Sequence, residues 1–277
     1  MSDFIRKILS YWGLFKKMRA VKPIVEAKSI LHGEDSSQYF LHFEPPVLKS
    51  DKIIIWVHGG GWTSGSPDYF DFVGQTIAKQ GYHCISIGYR LAPKYKYPAQ
   101  IEDVCSGYNK ALAYLTDREL DSSKLIVSGP SAGAHLTSLL CYSKDVQEKY
   151  GIDVSNVIGF IGVGGPYNLL EKQSFKIRTI LRLLFTKNYD RSQGDPSTLM
   201  TKNHIPMLLI HSRHDGVIDF SSAEHFHTRA QTIGISSELY SVIDPQNTHS
   251  YYTTGMFLEE RSEYKTLDKF FNWIEER

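Results

Sequence analysis

Three residues in this chain have the types and the chain order that nucleophilic catalysis needs: Ser131, Asp215 and His249. Ser131 lies in Leu125-Ile126-Val127-Ser128-Gly129-Pro130-Ser131-Ala132-Gly133. A β-branched run ends in Gly-x-Ser-x-Gly, and a helix-like run (Ala132, Ala134, Leu136, Leu139, Leu140) follows at once. The pattern predicts strand, sharp turn, helix, with a strained serine at the turn. Only small neighbours fit such a turn, hence Gly129 and Gly133. The turn lifts the Ser131 hydroxyl clear of the sheet. It also sets Ser131 and the Ala132 N–H at a helix N-terminus, whose partial positive charge favours an oxyanion. The plainer reading is a small-residue turn between a buried strand and a helix.

A serine nucleophile needs a base, and the base needs an orienting carboxylate. With the serine on such an elbow, the acid comes next in the chain and the histidine last. Asp215 follows the apolar run Met207-Leu208-Leu209-Ile210 within a few residues. Asp219 competes, but it stands just ahead of a helix start, where it would serve as a cap. His249 follows the last predicted strand and the polar stretch Asp244-Pro245-Gln246-Asn247-Thr248.

The third feature is His58-Gly59-Gly60-Gly61-Trp62, directly after Ile53-Ile54-Ile55-Trp56-Val57. Three glycines let the backbone approach a ligand and turn its N–H groups inward. Acyl transfer needs such donors aimed at the developing oxyanion. A phosphate-binding loop is the rival, but the stretch lacks a Gly-Lys-Ser/Thr ending and GxGxxG spacing. His58 is expected to support the loop by hydrogen bonding. His211, His214, His225 and His227 lack HExxH or comparable spacing, so no metal is expected. Trp62, Tyr69, Phe70 and Tyr167 supply aromatics near these stretches. Trp62 and Tyr167 are taken as substrate-binding, in a small pocket suited to short acyl groups.

The elements that must position these residues are legible as strands alternating with helices. Strands are predicted over 25–31, 38–43, 53–57, 82–87, 125–128, 157–163, 207–210 and 237–242. Helices are predicted over 69–79, 100–115, from 132, over 221–232 and over 260–275. Alternation of this kind means βαβ units, hence an α/β class with a mainly parallel sheet and right-handed crossovers. Residues 166–205 break the alternation and carry an apolar, basic helix candidate, so they are expected to form a small cap. Residues 1–20 place Phe4, Ile5, Ile8, Leu9, Trp12 and Phe15 at helical spacing among basic residues. That predicts an amphipathic helix packed on the protein's own body, with membrane-surface contact as the lesser reading. Asp3 and Arg6-Lys7 argue against a signal peptide. No long linker or repeat appears, so residues 1–277 are read as one domain.

Composition sets the outer bounds. The chain has 277 residues, 42% of them hydrophobic, enough for a sizeable core. A net charge of +1 gives no reason to expect a nucleic-acid partner. Cys84, Cys105 and Cys141 form an odd, sparse set without framework spacing, which reads as reduced thiols in a cytoplasmic protein. No apolar run is long enough for a transmembrane helix. Whether the chain forms a homodimer is left open by the sequence.

Taken together, these stretches resemble a known family. His58-Gly59-Gly60-Gly61-Trp62, Tyr89-Arg90-Leu91-Ala92-Pro93, Tyr97-Pro98-Ala99-Gln100 with Glu102-Asp103, Gly129-Pro130-Ser131-Ala132-Gly133, Asp215 and His249 look like an α/β-hydrolase. They are similar in particular to the HGGG-type carboxylesterases, in the hormone-sensitive-lipase-like and feruloyl-esterase-like branch that includes kynurenine formamidases. The resemblance runs from about residue 50 to the end. It implies an α/β-hydrolase fold with helices on both sheet faces. It implies Ser131 as nucleophile, His249 as base and Asp215 as its orienter. Gly60, Gly61 and Ala132 would be the oxyanion donors, and Arg90-Leu91-Ala92-Pro93 would buttress the glycine loop. The implied activity is cleavage of a small-molecule carboxylic ester without a cofactor. An arylformamidase and a non-catalytic binder are the alternatives. Pro130 and Ala134 depart from the family pattern without removing a catalytic group.

Overall fold

The computed structural model describes residues 14, 16–18, 20–171, 174–244 and 247–277. Leu14, Lys16–Met18 and Ala20 are helical. The remainder of the helix predicted over 1–20 lies outside the described residues.

Eight strands make one sheet. In chain order they are β1 (Lys28–Leu31), β2 (Tyr39–Phe43), β3 (Ile53–Val57), β4 (His83–Ile87), β5 (Leu125–Pro130), β6 (Val157–Val163), β7 (Met207–Ser212) and β8 (Ser237–Val242). Their order across the sheet is β1-β2-β4-β3-β5-β6-β7-β8. The pairs β1–β2 and β2–β4 are antiparallel, and every other pair is parallel. This is the α/β-hydrolase arrangement expected from the sequence.

The continuous apolar runs are explained by burial on both faces. In β3 all five residues are buried. Side chains alternate between faces along a strand, so Ile53, Ile55 and Val57 join one core and Ile54 and Trp56 the other. The first core is closed by α2 (Ala99–Asp117), α3 (Ala132–Tyr142), α5 (Phe175–Leu184) and α7 (Ser221–Thr232), through side chains such as Val104, Leu136, Leu181 and Phe226. The second is closed by α1 (Asp71–Lys79) and α9 (Lys265–Glu275), through Val73, Ile77, Phe270 and Trp273. Three further helices among the described residues are short: α4 (Lys144–Tyr150), α6 (Pro196–Leu199) and α8 (His249–Thr253).

Parallel strands bring their carboxyl ends to one edge, where ligands bind in open α/β sheets. The glycine loop after β3, Ser131 after β5, Asp215 after β7 and His249 after β8 all emerge there. Among the described residues no helix is long and apolar enough to cross a membrane.

Candidate active site

Ser131 stands at the junction of β5 and α3 with φ 52° and ψ −119°. A non-glycine residue held there carries backbone strain of about 1–3 kcal/mol. The surroundings impose it. The Ser131 N–H donates to the Val163 carbonyl at 2.8 Å, which ties the elbow to β6. A Cβ on Gly133 would come 2.0 Å from the Val57 oxygen, and one on Gly129 would come 2.6 Å from the Gly133 carbonyl carbon. The two glycines of the motif are therefore packing requirements that let β3, β5 and α3 meet.

The imidazole of His249 bridges the other two groups. Its Nε2 lies 2.9 Å from Ser131 Oγ, and its Nδ1 lies 2.7 Å from Asp215 Oδ2. The His249 N–H also donates to the Asp215 carbonyl at 3.0 Å. Asp215 is fixed independently, because its Oδ1 accepts the amides of Val217 at 2.8 Å and Ile218 at 2.7 Å. Burial pushes its carboxyl up, but the charge and hydrogen bond of His249, then His211 and the Tyr252 hydroxyl, hold it down at about 2. The carboxylate is thus ionised at any ordinary working pH.

Asp219 is exposed and takes no part in this chain of contacts. The expectation that it caps the following helix is not met. The N-cap position of α7 is Phe220, in helical geometry and without a side-chain cap.

The glycine loop lies against the elbow. A Cβ on Gly59 would stand 3.0 Å from the Pro130 oxygen and 3.4 Å from Ser131 Cβ. Gly60 and Gly61 take φ of 112° and 60°, in the region that favours glycine. Among the described residues, the N–H groups of Gly60, Gly61 and Ala132 donate to no protein acceptor.

Several contacts brace the loop. His58 is fully buried, and its Nδ1–H donates to the Gly59 carbonyl at 2.8 Å. The His58 ring stacks on Tyr89 at 4.2 Å, and the Tyr89 hydroxyl donates to the His58 carbonyl. The Ala92 N–H donates to the Trp62 carbonyl at 2.9 Å. Arg90 grips the buried Asp103 carboxylate with its backbone N–H and guanidinium, joining this segment to α2.

These groups share a cavity of about 600 Å³. Ser131, His249 and the glycine loop form its reactive side. Leu14, Met18, Trp62, Ile177, Ile180 and Ile218 lie along its apolar wall. Leu14 and Met18 are two of the few described residues from the predicted N-terminal helix. Ile177 and Ile180 come from α5, within the predicted cap. Trp62 lines the cavity as expected, but Tyr167 does not. Tyr167 turns into the core, where it is fully buried and stacks on Phe226 at 4.4 Å. The chain after β6 runs inward, which its spacing from the strand did not reveal. Sequence reasoning also missed Tyr252, whose hydroxyl donates to Asp215 Oδ2. Its signal was the three-residue spacing from His249, meaningful only once that stretch is helical.

Comparison with known proteins agrees with this architecture. A family model described as BD-FAE matches residues 43–230. Esterase LipC of Mycobacterium tuberculosis is 28% identical over 235 residues, which is 78% of this chain and 58% of that protein. The chain therefore spans little more than half the length of this relative. Among solved structures, the Francisella virulence factor BioJ superposes with a TM-score of 0.79 at 22% identity, covering 98% of this chain and 91% of that one. An esterase of Pyrobaculum calidifontis does so with a TM-score of 0.77 at 20% identity, covering 99% and 98%.

Proposed function

The chain belongs to the BD-FAE family, and we propose that it hydrolyses carboxylic esters of small acyl groups through Ser131, His249 and Asp215. The observation that carries this reading is the unbroken contact chain Ser131 Oγ–His249 Nε2 and His249 Nδ1–Asp215 Oδ2, at 2.9 and 2.7 Å, opening onto an apolar cavity.

In this reading Ser131 Oγ attacks the ester carbonyl as His249 Nε2 takes its proton. The tetrahedral oxyanion lies among the N–H groups of Gly60, Gly61 and Ala132, donors of the kind that stabilise the developing charge. His249 then protonates the departing alcohol. Water, activated by the same histidine, releases the acid from the acyl-enzyme. Every proton is handled by side chains, so the cycle calls for no metal or cofactor. Residues 166–205 act as a small cap, with Ile177 and Ile180 as the part that touches substrate. A cytoplasmic setting belongs to the same reading, supported by three free, buried cysteines.

The test is a series of p-nitrophenyl esters of rising acyl length, run beside N-formylkynurenine, on wild type and Ser131→Ala. Wild type should prefer acyl groups of about two to four carbons. Ser131→Ala should lose on the order of a millionfold in turnover. A variant retaining a tenth of the wild-type rate moves the chemistry elsewhere. Turnover of the formamide alone assigns an amidase instead.

A further inference from the structure

We propose that Tyr252 is a positioning residue that sets the basicity of His249 through Asp215. The inference rests on the triad reading above. Tyr252 follows His249 by three residues on α8, which puts both side chains on one face. It is fully buried, and its ring meets that of His249 edge to face, with centroids 6.3 Å apart. Its hydroxyl donates to Asp215 Oδ2, the same oxygen that faces His249 Nδ1. The amides of Val217 and Ile218 occupy Oδ1. Each carboxylate oxygen therefore has two donors, and the group has no freedom to rotate.

The site makes room for that hydroxyl. A Cβ on Gly164 would come 2.5 Å from the Tyr252 hydroxyl oxygen. Gly164 has φ 61°, and its N–H donates to the Ile210 carbonyl at 2.9 Å, so its backbone is held where a side chain would collide. A phenylalanine would fill the rest of the space. A side chain at Gly164 would collide with that hydroxyl and, at 2.7 Å, with Thr253 Cγ2.

Its effect on the base follows from charge. A donor on Oδ2 draws electron density from the oxygen that steadies the imidazolium. Asp215 then stabilises protonated His249 less. Other polar groups near this pair do not substitute for the phenol. His211 Nε2 lies 3.7 Å from Oδ2 but is committed to the Ile218 carbonyl at 3.1 Å. Asp219 is exposed on the same loop, and Ser131 lies on the far side of the imidazole.

The experiment is the pH profile of kcat/KM for wild type, Tyr252→Phe and Asp215→Asn on one short p-nitrophenyl ester, with Tm recorded for each. Activity needs neutral His249, so it falls along the acid limb of the profile. Tyr252→Phe should move that acid limb upward by about half a unit, a roughly threefold loss on the limb, with KM little changed. A merely structural tyrosine would lower Tm and leave the limb in place, and that result overturns the proposal. A downward shift overturns it as well. If Asp215→Asn keeps the wild-type rate, the triad reading fails and this inference with it. If Asp215→Asn is inactive and the Tyr252→Phe limb is unmoved, only this inference fails.

Discussion

Asp215 divides its work between its two oxygens. Oδ1 is spent on the amides of Val217 and Ile218, which hold the loop after β7, and Oδ2 faces the imidazole. An amide at this position would keep the shape but present the wrong donor or the wrong charge to His249. Asp215→Asn should lower turnover by about a thousandfold or more. Asp219→Asn should leave both turnover and melting temperature nearly unchanged, because its side chain is exposed and α7 begins without a side-chain cap. Turnover and Tm for the two variants check this, and an inactive Asp219→Asn would reassign the acid. Much of this was legible in the sequence. Gly-x-Ser-x-Gly, the chain order of acid and base, and the ends of apolar strands locate all three residues. The surroundings of Asp215 were not legible, since Tyr252 matters only after 249–253 coils into a helix, and the polar stretch before it reads as loop.

At the scale of elements, α5 is the part that shapes the cavity. Ile177 and Ile180 line the cavity, and Ile177, Leu181 and Leu184 are buried in the core. Spacings of three and four residues put all four on one apolar face, which both anchors the helix and lines the cavity. Its start is fixed by Ser174, whose hydroxyl accepts the Ile177 N–H. A Cβ on Gly61 would lie 3.4 Å from Ile180 Cγ2, so α5 and the glycine loop approach closely above Ser131. Ile180→Ala should open that end of the cavity. The rate on esters two carbons longer than the wild-type optimum should rise by roughly tenfold relative to the optimum itself, the scale of one or two methylenes in a pocket. The ratio of kcat/KM across the ester series measures it, and an unchanged ratio would remove Ile180 from the acyl site. The helix was visible in the sequence because its apolar spacing is strong. α4 was not, because only Val146 of its residues is buried, so it carries no apolar stripe to read.

At the scale of the molecule, the parallel strands were the most legible part. Burial on both faces demands the continuous apolar runs of β3 and β7. What such runs do not encode is how the fold treats its buried histidines, and these govern its response to acid. His42, His58 and His135 are fully buried. Burial drives the pKa of His58 and of His135 down to about 4, and that of His42, with His83 beside it, down to about 3, from 6.5. The folded state therefore keeps these rings neutral, while the unfolded chain protonates them below about pH 6.5. A depressed folded pKa means that their contribution is intact above 6.5 and is lost as pH falls toward 4. Each ring adds a slope of about 1.4 kcal/mol per pH unit across that window. The slopes of the three add, all in the direction that makes acid costly to the folded state. Asp215, held at about 2, also favours the fold at higher pH but acts in a lower window, between 3.8 and 2. Melting temperature should accordingly be flat above pH 7 and fall steeply between pH 6.5 and 4.5. His135→Gln keeps a donor for the Gly194 carbonyl that the imidazole Nε2–H now reaches at 2.7 Å. It should reduce the slope while lowering Tm at pH 7.5, because the amide fills the imidazole's space less well. A Tm that stays level to pH 4.5 in the wild type, or a slope unchanged in His135→Gln, would show that these rings take up protons in the folded state.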